Sequence, residues 1–512
     1  MLCGDWTAAV VLLVTSCLTR TTTTAHRILA YEPCAGSSHW NVMSAVLESL
    51  VDAGHEVVCL TMHRAAERLA GHPNYTYIDI TALTARPEET ARDLDYGQVM
   101  KIFRSNAFMI GMALTWAQRL CETLDDVPAV RRLFDGTDGG RPFDAVVMES
   151  LHSECQSALP GRLGGVPVFY VVPCPFVDWM PTVTGSPDHP SYLGGLLTDR
   201  PTPDSFGQRL HNAAVYVHTN FLRWYLDVSA DAVRWPRPRD AVVFVNTHYS
   251  VEPARPLGPN VVEIGGIHLR PPEPIPQDIA DVMDKSGESG VVVFSLGSLV
   301  AVDSLPDDVL AAFKFAFSRL SQTVIWKYEN DHMPDKPKNV VLCKWLPQRA
   351  ILKHPNVKLF ISHGGMNGVY EAVDAGVPVL GLPLFYDQPR NVQNLVDIGM
   401  ALSLNIDKIS KTTLLKTVNR LLDEQSFSEN AKRVSSLFQD RPMKPADSVV
   451  YWVEYFIRHG VSANIRPLSA DATWTSHFML DLLVVFAGAV IAVWFCSRLA
   501  IFKTLNKCLP SK

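Results

Sequence analysis

The stretch Leu359–Ala372, "LFISHGGMNGVYEA", joins an apolar run to a histidine, two glycines and the start of a helix. Gly364 and Gly365 let the backbone turn sharply and approach a ligand closely. The free N–H groups and the dipole of a helix starting there attract an anion, and His363 adds a hydrogen-bond donor. The stretch is neither a GxGxxG motif nor a P-loop. Taken alone, it fits a phosphate site and a purely structural turn equally well.

The pattern around this stretch predicts the fold. Short apolar runs alternate with helical segments in the second half, at 290–298, 322–329, 339–348, 357–365 and 377–385. The first half has the same alternation, with apolar runs at 27–33, 56–62, 143–150 and 166–173. Such runs are typical of parallel sheets covered by helices on both faces. We therefore predict an α/β fold of two domains in series, with a ligand cleft between them.

Composition is consistent with a large globular protein. The chain has 512 residues, of which 47% are hydrophobic and 19% charged, so it can bury large cores. The net charge is -6, and no Lys/Arg-rich block occurs, which excludes a typical nucleic-acid partner. The cysteines include no CxxC pair, so a zinc site is not predicted. Whether they pair or remain free thiols is left open.

Both ends of the chain predict processing and membrane insertion. Residues 1–25 resemble a secretory signal, although Asp5 replaces the usual positive charge and a buried first strand is the alternative. Residues 478–497 carry one charge and would span roughly 30 Å as a helix, so a buried core helix is the weaker alternative. The tail 498–512 has basic residues only, which predicts a cytoplasmic tail and a type I topology. In a lumenal chain Asn74 is a glycosylation site.

The predicted organisation has seven parts. They are a signal (1–25), a first domain (26–269), a proline-rich linker (270–289), a second domain (290–445), a return helix with a juxtamembrane segment (446–477), a membrane helix (478–497) and a tail (498–512).

Polar and aromatic side chains follow other strands of the second half. Ser298 ends "FSLGS", where it can bind a phosphate or simply cap the next helix. Trp345 and Gln348 lie in "WLPQ" after a strand. An indole face stacks on a base and an amide pairs with a base edge, although a lone Trp is more often part of a core.

Two further strand ends supply groups for sugars. Glu371, on the helix after the glycines, is within reach of sugar hydroxyls, although a helix-surface Glu is usually just solvated. Asp387 and Gln388, in "LFYDQPRN", suit a hexose. Side chains suited to binding a base, a phosphate, a ribose and a hexose thus occur in one domain. This combination predicts a nucleotide-sugar site.

The run 345–388, "WLPQRAILKHPNVKLFISHGGMNGVYEAVDAGVPVLGLPLFYDQ", resembles the signature of the UDP-glycosyltransferases. It is close to the membrane-bound animal type, as in UDP-glucuronosyltransferases and insect UDP-glucosyltransferases. "GVVVFSLGS" and "YWVEYFIRHG" match that type as well. The resemblance spans nearly the whole chain and is weaker in the first half. It implies a GT-B fold of two Rossmann-like domains, in which the second holds the UDP-sugar and the first faces the acceptor.

The resemblance also assigns donor-site roles to single residues. Trp345 resembles the uracil-stacking tryptophan and Gln348 its pairing amide. The other matches are Ser298 and His363 as diphosphate ligands, Gly365 and Asn367 as donor-contacting residues, Glu371 as the ribose ligand, and Asp387 with Gln388 as the hexose-binding pair. The UDP-sugar is then a co-substrate, and neither a cofactor nor a metal is expected.

The resemblance places the catalytic base at His39, in "SSHW" at the start of the first helix. A base there takes the acceptor hydroxyl proton as the oxygen attacks the anomeric carbon, with inversion. A helix-capping or core histidine is the alternative. A carboxylate usually orients this histidine, and Glu149 stands where the vertebrate pattern has Asp. Glu154 is the competing candidate, and either glutamate can be a plain surface residue.

These residues predict an inverting hexosyltransferase that uses a UDP-sugar and a small lipophilic hydroxyl acceptor. Glucose is the expected sugar because "LFYDQPRN" and Glu149 look arthropod-like, and UDP-glucuronic acid is the alternative donor. A non-catalytic UDP-sugar-binding membrane protein and a UDP-sugar epimerase are the competing classes. The resemblance implies an endoplasmic reticulum membrane enzyme with a role in detoxification, although the tail lacks a strict dilysine signal. Whether the chain forms a homo-oligomer is left open.

Overall fold

The structure is a computed structural model. It describes residues 25–34, 36–64, 68–83, 95–103, 119–149, 158–196, 198, 200–229, 241–460 and 465–508. Apart from Ala25, the predicted signal 1–25 lies outside these residues, as do Glu154 and the end of the tail after 508.

Two parallel sheets organise the chain. The first has the strands β1 (Arg27–Glu32), β2 (Glu56–Thr61), β3 (Tyr75–Asp79), β4 (Ala145–Glu149), β5 (Val168–Val172), β6 (Ala241–Val245) and β7 (Val261–Glu263). The second has β8 (Val291–Ser295), β9 (Thr323–Lys327), β10 (Val340–Cys343), β11 (Val357–Ser362), β12 (Val379–Gly381) and β13 (Ala401–Ser403). The strand orders are β3-β2-β1-β4-β5-β6-β7 and β10-β9-β8-β11-β12-β13.

Helices cover the sheets and continue past them. The helices between strands of the first sheet are α1 (Ser37–Asp52), α2 (Tyr96–Phe103), α3 (Pro128–Phe134), α4 (Ala158–Arg162), α5 (Met180–Thr184) and α6 (Phe206–Ser229). Those associated with the second sheet are α7 (Gln277–Lys285), α8 (Asp307–Phe317), α9 (Gln348–Leu352), α10 (Met366–Ala375), α11 (Gln388–Asp397), α12 (Lys411–Asp423) and α13 (Gln425–Gln439). The last three are α14 (Pro445–His459), α15 (Trp474–His477) and α16 (Leu480–Cys508).

The central strands are buried on both faces, as their apolar runs predict. In β1, Leu29 and Tyr31 pack on one side of the sheet, and Ile28 and Ala30 pack on the other. Every residue of β8 is buried as well. Because both faces are covered, polar groups are tolerated chiefly at strand ends, and the strand ends are therefore where a site can form.

Two elements, α7 and α14, differ from a simple division into two domains. The predicted linker 270–289 contains α7, whose Ile279 and Met283 pack in the core of the second sheet. Helix α14 returns to the first domain, because Val449, Val453 and Phe456 pack in the same core as α1. The chain thus crosses between the domains twice, and the boundaries drawn from the sequence remain predictions.

Helix α16 contains a segment that is long and apolar enough to cross a membrane. Residues 480–504 have a mean hydropathy of 2.3 over their best window, and none of that window is buried against the protein. The core-helix alternative therefore does not apply to α16. The segment begins two residues after the predicted start at 478 and continues past the predicted end at 497.

Candidate active site

The carboxyl ends of both sheets carry the predicted site residues. In the first sheet, β1 and β4 are neighbours, so the strand order reverses between them. In the second sheet the same reversal lies between β8 and β11. Open parallel sheets bind ligands at such reversals, outside the carboxyl ends of the strands. His39 and Glu149 flank the first reversal, and Ser298 and His363 flank the second.

His39 faces Glu149. The histidine is in the first turn of α1, its side chain is 18% exposed, and its Nδ1 atom lies 3.7 Å from Oε1 of Glu149. Glu149 ends β4 and is 1% exposed. Burial by itself lowers the pKa of His39, but the Cys34 sulfur and the Glu149 carboxylate raise that pKa well above its usual value. Glu154, the competing candidate, lies outside the described residues.

A second carboxyl group lies beside Glu149, and the sequence reasoning missed it. Glu32 ends β1, is fully buried, and follows the Tyr31–Met148 pair in register, which places it next to Glu149 on the adjacent strand. Its Oε1 accepts a hydrogen bond from the Cys34 amide at 3.0 Å. Burial, followed by the charge of Glu149, raises the pKa of Glu32 well above its usual value. A charged residue ending the apolar strand "RILAYE" was the available signal.

The glycine junction has the geometry that its sequence predicts. Gly364 has φ +83°, and a Cβ there would come within 2.3 Å of Val392 Cγ2. Its amide donates to Ser362 Oγ at 3.2 Å. Gly365 is the N-cap of α10, with no side chain bonded to the free amides of that helix. The start of α10 therefore points its unpaired N–H groups at the edge of the sheet.

His363 is confined between two glycines. A Cβ at Gly297 would come within 2.7 Å of its ring, and one at Gly365 within 2.5 Å. Burial, with a smaller contribution from the charge of Lys327, lowers the pKa of His363 to about 4. His363 is therefore a neutral donor at physiological pH. Its Nδ1 is buried without a hydrogen-bond partner among the described residues.

Ser298 and Trp345 are exposed at the same edge. Ser298 follows β8 by three residues and is solvent-accessible, whereas Ser295 is buried and accepts from the Gly297 amide at 3.3 Å. The indole of Trp345 is 73% exposed, so the core-filler alternative does not apply. An exposed aromatic face of this kind is available for stacking.

Gln348 and Glu371 are joined directly. The Gln348 amide donates to the Glu371 carboxylate across α9 and α10. Burial raises the pKa of Glu371 to about 7, and the hydrogen bond from Gln348 opposes that rise. A carboxylate held this way readily accepts hydrogen bonds from hydroxyl groups.

Asp387 and Gln388 form a buried pair at the start of α11. Gln388 accepts hydrogen bonds from the Leu384 amide at 2.9 Å and the Phe385 amide at 3.3 Å. Asp387 accepts from Asn391 Nδ2 at 2.8 Å. Burial raises the pKa of Asp387 to about 6, and the hydrogen bond from Asn391, followed by the nearby His39, partly offsets this rise. The preceding residue, Tyr386, has φ +58°, a strained conformation that is common at functional sites.

Asn367 connects the two halves of the site. Its side-chain amide donates to the carbonyl of Ser38 at 3.0 Å, one residue before His39. His268 Nε2 lies 3.2 Å from the Asn367 carbonyl oxygen. The beginning of α10 and the beginning of α1 are therefore held together across the cleft.

A buried ion pair crosses the cleft near Asp387. Arg390 Nη2 lies 2.8 Å from Glu252 Oε2, and each side chain is 7% exposed. The same guanidinium donates to the Gly194 carbonyl at 2.6 Å, and Asn394 donates to the other Glu252 oxygen at 2.6 Å. The sequence reasoning did not identify this pair, because its members are 138 residues apart.

The sequence also led to predictions about metals and thiols. Within the described ranges, no group of three His, Cys, Asp or Glu side chains has the geometry to hold a metal ion. Cys121 is disulfide-bonded, whereas Cys34, Cys59, Cys174 and Cys343 form no disulfide. Asn74 is half-buried and directly precedes the edge strand β3.

Comparison with known sequences identifies relatives along nearly the whole chain. The family profile described as "UDP-glucoronosyl and UDP-glucosyl transferase" matches residues 29–512. UDP-glucosyltransferase 2 of Dactylopius coccus is 33% identical over 95% of this chain and 94% of its own length. UDP-glucuronosyltransferase 1A3 of Homo sapiens is 31% identical over 93% of this chain and 91% of its own length.

Solved structures share the fold. The glycotransferase of kitacinnamycin has a TM-score of 0.56 at 16% identity and covers 85% of this chain and 98% of its own. The calicheamicin glycosyltransferase CalG4 has a TM-score of 0.54 at 16% identity and covers 86% of this chain and all of its own. These similarities and the two parallel sheets confirm the predicted GT-B architecture.

Proposed function

Because this chain belongs to the family of UDP-glucuronosyl and UDP-glucosyl transferases, we propose that it transfers glucose from UDP-glucose to a hydroxyl group of a small lipophilic acceptor. As a member of this family it is a glycosyltransferase that uses a UDP-sugar. The proposal adds the sugar, the acceptor class and the residues. The observation that carries the residue assignment is the contact between Asn367 and Ser38, which brings the donor-side helix α10 against the helix that bears His39.

The second domain holds the donor in this proposal. Trp345 stacks on the uracil and Gln348 hydrogen-bonds to the uracil edge, while Glu371 accepts hydrogen bonds from the ribose hydroxyls. Ser298, neutral His363 and the Gly365 end of α10 bind the diphosphate. Asp387 and Gln388 bind the hexose hydroxyls, and Asn367 positions the donor against the first domain. These side chains lie at one sheet edge.

Transfer then proceeds by a single displacement. Nδ1 of His39 faces Glu149, so Nε2 is the nitrogen available to take the acceptor hydroxyl proton. The acceptor oxygen forms a bond to the anomeric carbon as the bond from that carbon to the UDP oxygen breaks. Glu149 stabilises the imidazolium that results, and the donors around the diphosphate stabilise the leaving UDP. An α-linked donor gives a β-glycoside.

The surroundings of Asp387 favour a neutral hexose. A glucuronic acid donor would bring a third carboxyl group close to those of buried Asp387 and Glu252. Arg390, the cation that follows Asp387 on α11, is already bonded to Glu252 and Gly194. Like charges that share a buried site repel one another. Glucose avoids this repulsion.

The proposed location is the endoplasmic reticulum membrane, with both domains in the lumen. Helix α16 supplies the anchor, and the oxidised Cys121 suits the oxidising lumen. We propose that no cofactor or metal takes part, and that hydroxyl compounds soluble in the membrane are the acceptors.

The test compares donors and variants in membranes that contain the full chain. We expect a generic phenol to be glucosylated with UDP-glucose and to react poorly with UDP-glucuronic acid. The opposite donor preference would overturn the sugar assignment. His39→Ala should lose transfer and still bind UDP, whereas the exposed control His332→Ala should retain both. Normal transfer by His39→Ala would exclude His39 as the base, and UDP binding without transfer in the unaltered chain would identify a non-catalytic binder.

A further inference from the structure

Helix α6 has its apolar side chains on the outside. Six large apolar residues of this helix are between 56% and 72% exposed: Phe206, Leu210, Val217, Phe221, Trp224 and Tyr225. By contrast, the polar Asn212 and Thr219 are 4% and 1% exposed. This is the reverse of the arrangement expected for a helix on the surface of a water-soluble domain.

The exposed residues form one stripe along the helix. With 100° between successive residues, positions 206, 210, 217, 221, 224 and 225 fall within roughly 100° of the helix circumference. The stripe extends over most of the 24 residues of α6. A contiguous apolar surface of this length indicates a contact with a non-aqueous partner rather than scattered surface residues.

Specific hydrogen bonds hold α6 with the stripe facing outward. Asn212 Nδ2 donates to the carbonyls of Pro190 at 2.6 Å and Leu193 at 2.7 Å. Its Oδ1 accepts from the Gly195 amide at 3.1 Å. Because the buried side of the helix is matched to polar backbone groups, rotation of the stripe inward would leave those groups without partners.

The segment that leads into the membrane helix contacts the first domain close to where α6 is attached. Ser469, just before α15 and α16, donates a hydrogen bond to the Gly185 carbonyl. Pro467 packs so closely on Gly258 that a Cβ there would come within 2.6 Å of its ring. Between these contacts, Leu468 is 95% exposed. Gly185 is five residues from Pro190, so α6 is attached within about 18 Å of the anchor contact.

We infer that α6 lies in the headgroup region of the bilayer that α16 crosses, with its apolar stripe against lipid. An amphipathic helix with Trp and Phe on its apolar face is suited to this position. The inference relies on α16 as the membrane anchor and does not depend on the proposed chemistry. If the transferase proposal also holds, α6 keeps the acceptor-binding domain at the surface where lipophilic acceptors concentrate.

The test uses the full chain in phosphatidylcholine nanodiscs that contain a photoactivatable lipid with a diazirine near the headgroup. After irradiation, mass spectrometry should find lipid adducts on peptides from α6 and α16. Peptides from α13, a surface helix of the second domain, should carry none. Phe221→Glu combined with Leu210→Glu should reduce the α6 adducts to the level of α13, while the α16 adducts remain.

Two other results would overturn the inference. If α6 carries no adducts and the purified protein forms dimers that Phe221→Glu dissociates, the stripe binds a second copy of the chain instead of lipid. If Phe221→Glu unfolds the protein in detergent, the stripe is part of a core. Retained thermal stability and UDP binding in the variant show that neither folding nor the donor site has failed. Since crosslinking measures no catalysis, a failure of the transferase proposal would leave this result interpretable.

Discussion

At the level of single residues, the first domain contributes buried ionisable groups that influence one another's charge. His39 lies 3.7 Å from Glu149, and Glu32 occupies the neighbouring strand end. Two carboxyl groups this close are not both readily ionised, so one keeps its proton. Burial and the charge of Glu149 raise the pKa of Glu32 well above its usual value, so Glu32 holds its proton more strongly than an ordinary carboxyl group.

Substitution of Glu149 should change both rate and pH dependence. Glu149→Gln removes a charge that raises the pKa of His39, so the acidic limb of the kcat/KM profile should move to lower pH. We also expect kcat to fall roughly 10²-fold, because the imidazolium formed during transfer loses its counter-ion. Glu149→Asp, the residue in the vertebrate pattern, is the control. An acidic limb that stays in place would exclude Glu149 as the partner of His39.

Glu32→Gln tests which carboxyl group carries the proton. Because Gln has the shape of a protonated Glu, the variant should keep kcat and the pH profile near those of the unaltered chain at neutral pH. Glu32→Leu removes the acceptor for the Cys34 amide and should lower stability by about 1–3 kcal/mol in urea unfolding. A marked fall in the His39 pKa in Glu32→Gln would show instead that Glu32 is ionised.

The ionised carboxylate of Glu371 should lower the stability of the fold at basic pH and strengthen donor binding. Its pKa of about 7 in the folded state lies above the ordinary value, so its proton stabilises the fold at acidic pH and this stabilisation is lost as pH rises through 7. Glu371→Gln should therefore be more stable than the unaltered chain at pH 8, by on the order of 2–3 kcal/mol, and similar to it at pH 4.5.

The same variant should bind UDP more weakly at pH 8. The amide has one acceptor oxygen, whereas a carboxylate can accept hydrogen bonds from two ribose hydroxyls. Thermal unfolding with and without UDP measures both effects. Glu429→Gln, at an exposed position, controls for the loss of one negative charge. Equal stability changes at the two pH values would contradict the assigned protonation.

At the level of elements, the junction between β11 and α10 is the most constrained part of the second domain. Gly364 combines a positive φ with close contact to α11, and its carbonyl accepts from Asn391, which also donates to Asp387. The phosphate end of the site and its hexose end therefore share one set of hydrogen bonds. A shift of the junction should affect both ends together.

Gly364→Ala tests whether the close contact of Gly364 with α11 shapes the donor site, apart from the cost of backbone strain. Both Gly364 and Gly54 have positive φ, but a Cβ at Gly54 meets no atom within 4 Å. Each substitution should cost about 1–2 kcal/mol of backbone strain in urea unfolding. Only Gly364→Ala should also weaken UDP binding, measured by calorimetry, because its Cβ displaces Val392 and α11. Equal UDP affinities in the two variants would show that the junction does not shape the donor site.

At the level of the whole molecule, polar contacts between sequence-distant residues hold the cleft in its observed geometry. Asn367 reaches Ser38, Arg390 pairs with Glu252, and Arg270 donates to Glu48 at 2.7 Å. The first of these spans 329 residues of sequence. The relative position of base and donor therefore depends on a few hydrogen bonds as well as on apolar packing.

The buried pair Arg390–Glu252 gives a test at this level. Arg390→Met leaves Glu252 as an uncompensated buried charge and should destabilise the protein by about 3–5 kcal/mol. The double variant Arg390→Met with Glu252→Leu should recover most of that loss, because no charge remains unpaired. Thermal unfolding measures both variants. If the double variant is no more stable than Arg390→Met, the effect arises from packing and not from the ion pair.

Local sequence determined much of this protein. Apolar runs predicted most central strands, glycines predicted the junction, and one apolar segment predicted the membrane helix, because strand burial, turn geometry and hydropathy depend on residues next to one another. The half-exposed edge strand β3 and the outward-facing α6 were not identified, since their side chains lack a simple buried pattern. Tertiary structure alone decided the pairing of Glu32 with Glu149, the link from Asn367 to Ser38 and the Arg390–Glu252 pair. These contacts join distant segments, and only the packing of two sheets brings their charges and hydrogen-bonding groups within reach.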